Sequence, residues 1–291
     1  MNTTIDFSNN DIDKSLPYIS ISQVLDSIEI PFDSERVAKS TYNNHHDNPE
    51  SQYYQKTVDE IIKMWNDKGA TACKYGSLLD DYIGSILENE TFFTEKMDDR
   101  LYGLKQSFDN FYELMMKSGD VEYIAREQTL YYPIEINGEK WLVKGRFDAL
   151  FYNKRINKYI IIDWKSSGSV DRVKTKWTKN FEGPMNKYPA LNWYRYTNQL
   201  HFYKLALLNK YLPDCKPDDI VVMIVNLPGH IIEESNTNYM VYKNAIDYDE
   251  TLMNELFKYA INKKITEEKE LNKASAKEQV NEMNNIIENI F

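Results

Sequence analysis

Apolar and polar positions alternate most clearly in the middle of the chain. Ala149-Leu150-Phe151-Tyr152 and Tyr159-Ile160-Ile161-Ile162 are rich in β-branched and aromatic residues, and the polar run Asn153 to Lys158 separates them. Two such runs around a short polar stretch predict a β-hairpin. The wider pattern predicts strands over 126–136, 140–152, 158–165 and 219–227, with a helix carrying Gln199 before the last. Before these, Val58, Ile61, Ile62 and Trp65 recur at helical spacing, as do Leu78, Leu79, Tyr82 and Ile83. The tail is charged and helix-prone. Met253, Leu256, Phe257, Ala260 and Ile261 share one face there, and Asp247 to Glu250 stand where a cap belongs. The expected organisation is a mainly helical region 1–120 packed on a core at 121–230, then a helical extension 231–291.

The hairpin changes the meaning of two aspartates. Pairing its strands brings Asp148, just before the first, close to Asp163 at the end of the second. Two carboxylates repel, so a site that gathers them usually holds a divalent cation. Lys165 has the parity of Asp163 along an extended strand, so both side chains point to one face. An aspartate at a strand rim, or an Asp-x-Lys pair, is by itself more often a solvated edge. Here both stand where the apolar run Ile160 to Ile162 emerges, the usual place for function in open α/β sheets. Two aspartates around a metal, with an ammonium alongside, are equipped to cut a phosphodiester.

Gly145-x-x-Asp148 followed by Asp163-Trp164-Lys165 resembles the PD-(D/E)XK nuclease superfamily. Gln199-x-x-x-Tyr203, on a helix after the lysine, resembles its RecB-like exonuclease branch, which includes phage exonucleases and mitochondrial-genome-maintenance nucleases. The resemblance runs from Ile19 to Asn226. It takes in Ile19 to Leu25 and the stretches Trp65 to Ala70 and Tyr75 to Asp80. Asp80 departs from the family, which has a metal-binding histidine there; an aspartate supplies hard oxygen and favours Mg²⁺.

The resemblance implies an α/β fold with a restriction-endonuclease-like core: a central mixed β-sheet flanked by helices, a helical N-terminal region and a helical C-terminal tail. It implies Asp148, Asp163, Lys165, Gln199 and Tyr203 as catalytic residues. Mg²⁺ or Mn²⁺ would be held by Asp148, Asp163, the Trp164 carbonyl and either or both of Asp80 and Glu127. The alternatives are that Asp80 faces solvent on an amphipathic helix and that Glu127 pairs with a nearby base such as Arg126. For Gln199 and Tyr203 the alternative is a packing helix whose apolar stripe includes Leu200, Leu207 and Leu208. The implied function is a metal-dependent DNA nuclease, an exonuclease favouring single-stranded ends, in phage-type replication, recombination or processing. Replication or recombination proteins are the expected partners. Two rivals are a catalytically silent nucleic-acid-binding or scaffold protein that kept the fold, and a restriction-type endonuclease.

Composition narrows this further. Hydrophobic residues at 42% with 27% charged make a globular mix, neither disordered nor membrane-embedded. Met1 to Asp13 is polar and acidic, unlike a signal peptide, and no apolar run reaches bilayer-spanning length, so a cytoplasmic location is expected. Cys73 and Cys215 are the only cysteines, so the four-cysteine iron–sulfur cluster of some RecB-like relatives is not expected. The abundance of Asn, Lys, Ile and Tyr fits a low-GC genome.

The net charge of −10 is awkward for binding DNA, but its distribution relieves the difficulty. Lys140 to Lys187 holds twelve Lys or Arg against four Asp or Glu, a local +8 that leaves −18 on the rest. Ser166, Ser167, Arg172, Lys174, Lys176, Trp177 and Lys179 are the expected DNA contacts, cations interleaved with an aromatic that can stack a base. The alternative is a solvated loop whose lysines maintain solubility.

Overall fold

A computed structural model describes residues 5–290 except 90, 93, 95, 96, 169 and 234, and for 276 and 278–290 it describes the backbone alone. The chain opens with a short strand β1 (Tyr18–Ser20) and four helices, α1 (Ile21–Ser27), α2 (Ser34–His45), α3 (Val58–Leu87) and α4 (Asp99–Met116). Five strands follow: β2 (Val121–Arg126), β3 (Thr129–Ile136), β4 (Glu139–Arg146), β5 (Ala149–Asn153) and β6 (Lys158–Lys165). After an irregular stretch come α5 (Asn192–Ala206), β7 (Ile220–Asn226), β8 (Met240–Tyr242) and the long α6 (Glu250–Ile290). None of the described helices is long and apolar enough to cross a membrane.

Helix starts follow local chemistry. Ser20 and Gln23 form a capping box on α1, Thr57 and Glu60 form another on α3, and Asp98 caps α4. The Asp249 carboxylate accepts from Leu252 N at 3.1 Å at the start of α6.

The strands form two mixed sheets flanked by helices, an α/β architecture. The larger has the order β2-β5-β6-β7-β8, with β6 and β7 parallel and the other pairs antiparallel. The smaller has the order β1-β4-β3. β6 lies in the middle of the larger sheet, and its apolar run is buried on both faces. Ile160, Ile162 and Trp164 pack with Phe151 and with α3 and α4 through Leu79, Ile83 and Phe108. Ile161 packs on the opposite side with Leu150, Ile224, α5 and α6. The tail face expected from spacing, Met253 to Ile261, is buried in that second cluster.

Two of the strands expected from the sequence are broken in the structure. The 126–136 segment splits at Glu127 and Gln128, and 140–152 splits at Phe147 and Asp148. Both breaks occur where the chain crosses from one sheet to the other. They stand side by side: Glu127 N donates to Asp148 O and Phe147 N to Gln128 O, each at 3.4 Å. Glu127 takes a left-handed backbone, φ 53°, unusual for a glutamate and a local strain at the bend. Apolar periodicity did not reveal the crossing, because Phe147 is buried on either description.

Candidate metal centre

The hairpin of β5 and β6 pairs Ala149 with Ile162, so the next residue of each strand sets Asp148 beside Asp163. Trp164 N donates to Asp148 Oδ2 at 2.7 Å, tying the first carboxylate to the end of β6. Asp163 is fully buried. Its Oδ2 lies 2.7 Å from Lys165 Nζ, as the shared parity of the two residues requires, and its Oδ1 has no hydrogen-bond partner among the described residues.

Burial dominates the electrostatics. It pushes the Asp148 carboxyl up to about 8, and the neighbouring Asp163 adds to the rise. Burial also raises Asp163, although Lys165 opposes the shift. For Lys165 burial disfavours the ammonium, but Asp163 and Asp148 outweigh it and the net shift is upward. Without a cation, the pair therefore favours holding a proton at neutral pH.

A cavity of about 430 Å³ opens over these groups, lined also by Asp80, Glu127, Arg146, Ser166 and Gln199. Asp80 and Glu127 thus reach the same cavity, each already engaged. Asp80 Oδ2 lies 3.0 Å from Arg126 Nη2, and Glu127 Oε2 lies 2.7 Å from Arg146 Nε. Arg126 also reaches Glu88 at 3.5 Å, so the partner of Glu127 is Arg146 and not the adjacent Arg126. Burial and the Asp80 charge raise the Glu127 carboxyl, while Arg146 opposes. Among the described residues no three His, Cys, Asp or Glu side chains meet as a ligand cluster.

The donor set still suits a hard divalent cation. Asp148 and Asp163 offer carboxylate oxygens, one of them buried and unpartnered, and the cavity adds further oxygens from Asp80 and Glu127. Cys73 is exposed and Cys215 half-buried, with no further cysteine to join them.

Helix α5 closes one side. Gln199 lines the cavity and donates from Nε2 to the Tyr203 hydroxyl at 2.8 Å. Tyr203 is buried, its ring edge 3.0 Å from where a Cβ on Gly145 would stand, so it supports Gln199 from behind. Leu200 and Leu207 are buried, so the apolar stripe of a packing helix is present beside Gln199.

The basic segment divides. Ser166 and Ser167 line a second cavity beside Lys165. Trp177, 80% exposed, and Lys179 instead line a groove with Phe32 and Arg36, and neither lines the carboxylate cavity. The Lys176 ammonium lies 5.0 Å from the Trp177 ring centroid, and Lys174 donates to Asn180 Oδ1 at 3.4 Å. The Arg172 guanidinium lies 4.9 Å from the Tyr242 ring on β8.

Four residues at the site were not among those expected to form it. Arg126 and Arg146 hold the outer carboxylates. The Lys165 ammonium rests 4.3 Å from the Tyr196 ring centroid, and spacing could have found Tyr196, which precedes Gln199 by three residues on one helix face. Buried Asn226 pairs in register with Lys165, and its amide donates to the carbonyls of Lys165 and Ser167 at 2.9 Å, fixing the chain where it leaves β6.

No protein-family model matches this chain, and no curated protein matches it. Among solved structures, one described as the crystal structure of SSO0001 is similar at a TM-score of 0.35 and 12% identity, covering 86% of this chain and 78% of that one. A superposition this loose carries no argument about function.

Proposed function

We propose that this chain is a Mg²⁺- or Mn²⁺-dependent deoxyribonuclease, an exonuclease acting on DNA with free, preferably single-stranded, ends. One observation carries the reading: the fully buried Asp163 and the half-buried Asp148 lie side by side on paired strands, with the Lys165 ammonium 2.7 Å from Asp163. So costly an arrangement of buried charge is understandable if a cation completes it. The order of the motifs supports the same reading.

Asp148 and Asp163 would hold the cation, with the Trp164 carbonyl, Glu127 and Asp80 available to complete its shell. A bound divalent cation supplies Lewis-acid polarisation of the scissile phosphate and a more acidic attacking water. The chain's own residues do the rest. Lys165, an ammonium at neutral pH, orients that water and stabilises negative charge building on the phosphate oxygens. Tyr196 supports the ammonium from the far side through its ring face. Trp164 N holds Asp148 in one rotamer, and Gln199, braced by Tyr203, offers its amide to the sugar-phosphate backbone.

The test is digestion of 5′- and 3′-labelled single-stranded DNA across a metal series, wild type beside Lys165→Ala. Equal release of label by both proteins would remove the catalytic assignment. A closed single-stranded circle offered with the linear strand separates end-dependent from internal cutting. A second reading, nucleic-acid binding without catalysis, is favoured by the arginines already paired with Asp80 and Glu127. It predicts DNA binding with no response to Mn²⁺ in either binding or cleavage.

A further inference from the structure

A second cavity, about 590 Å³, adjoins the carboxylate cavity, and Trp164, Lys165 and Ser166 line both. One wall is the exposed stretch of α3 with Asp67, Lys68 and Thr71; another is Arg100 at the start of α4. Ser167 and Gly168 on the chain leaving β6, and Tyr196 on α5, complete it. Lys68, Arg100 and Lys165 thus face one space against a single carboxylate, Asp67, in a chain whose net charge is −10. Among the described residues neither Lys68 nor Arg100 has a carboxylate partner. Arg100 is held by stacking, its guanidinium carbon 4.3 Å from the Tyr75 ring centroid, which leaves its N–H groups available.

We propose that this cavity binds the phosphodiester next to the one being cut, so that one DNA strand passes from Lys68 and Arg100 across Lys165 to the two aspartates. The inference rests on the nuclease reading and adds a substrate subsite to it. The cations Lys68, Arg100 and Lys165 and the hydroxyls of Thr71, Ser166 and Ser167 match a phosphate and its sugar, and Arg100 presents the forked donors that phosphate oxygens accept. A space of this size between three helices and a loop suits one strand, not a duplex, as in grooves that track single-stranded backbones. Because Lys165 belongs to both cavities, a strand seated here delivers its next phosphate to the carboxylate side.

The experiment compares wild type with the double variant Lys68→Gln, Arg100→Gln and with Arg100→Lys, which keeps the charge. Three readouts are taken: affinity for a labelled single-stranded oligonucleotide in Ca²⁺ across a salt series, the same with a blunt duplex competitor, and hydrolysis of a small aryl phosphodiester in Mn²⁺. Both positions are exposed, so the variants are expected to melt with wild type. Loss of two phosphate contacts should lower oligonucleotide affinity about tenfold at 0.1 M salt and flatten the slope of log K against log salt by about 1.4. Arg100→Lys should recover part of the loss, the blunt duplex should compete weakly, and hydrolysis of the small diester should stay at the wild-type rate. Unchanged affinity and slope in the double variant would overturn the subsite, as would slowed hydrolysis of the small diester. If wild type cleaves neither substrate, the nuclease reading fails by itself, while the binding arms still report on the cavity.

Discussion

Trp164 N donates to Asp148 Oδ2 at 2.7 Å, so the residue between Asp163 and Lys165 is also the one that fixes the other carboxylate. A hydrogen bond from a β6 amide thus reaches across the hairpin and holds the two aspartates together against their repulsion. The Asn of Asp148→Asn can accept the same bond without the charge. That variant should keep the fold, melt at or above the wild-type temperature in chelator, and lose metal-dependent cleavage by about 10³-fold or more, since several kcal/mol of metal-borne charge stabilisation goes with the ligand. Thermal melting in EDTA and a labelled-DNA assay check both halves.

The pH dependence of stability follows from the same pair. Burial and Asp163 raise the folded Asp148 from its ordinary value of 3.8 to about 8, and Asp163 is raised as well. Between those values the folded state binds more protons than the unfolded one, so metal-free stability should fall as pH rises from about 4 to about 8. A cation that binds the ionised pair opposes this loss. The gain in melting temperature from Mn²⁺ should therefore be larger at pH 8 than at pH 5.5, and Asp148→Asn should flatten the metal-free trend. A metal-induced gain that is the same at both pH values would count against the cation.

Gly84 and Arg126 make a third test. A Cβ on Gly84 would stand 2.2 Å from Arg126 Nη1 and 2.8 Å from its Cζ, so any larger residue there makes the guanidinium move. Gly84→Ala should destabilise the fold by about 1–3 kcal/mol through overpacking. It should also displace Arg126 from Asp80 and alter the Mg²⁺ concentration needed for half-maximal activity. Urea melts and a metal titration read the two effects separately.

The Tyr196 ring centroid lies 4.3 Å from the Lys165 ammonium. Tyr196→Phe should retain near-wild-type cleavage. Tyr196→Leu should lower it about three- to thirtyfold, the rate equivalent of a cation–π contact worth about 0.5–2 kcal/mol. Equal losses in both variants would point to the hydroxyl instead.

Local chemistry in the sequence determined the helix starts, the β5–β6 hairpin and the parity of Asp163 and Lys165. Each depends on residues only a few positions apart, so a side-chain period or a capping pair reports it directly. The i, i+4 spacing likewise placed Gln199 and Tyr203 together, although burial made the first a cavity residue and the second its brace.

Tertiary structure alone decided what surrounds the two aspartates. Arg126 meets Asp80 across 46 positions of chain, and Arg146 meets Glu127 only because both lie where the strands change sheets. The break at Glu127 and the crossing at Phe147–Asp148 leave the apolar pattern unaltered, since those residues are buried or paired on either path. The basic segment was visible as charge, but which cations face the site depends on how its loop folds. Trp177 and Lys179 turned to another groove, while Lys68 and Arg100, from helices distant in sequence, joined Lys165. Spacing along a chain fixes which side chains share a face; which faces meet is set by packing between elements, and no local pattern records that.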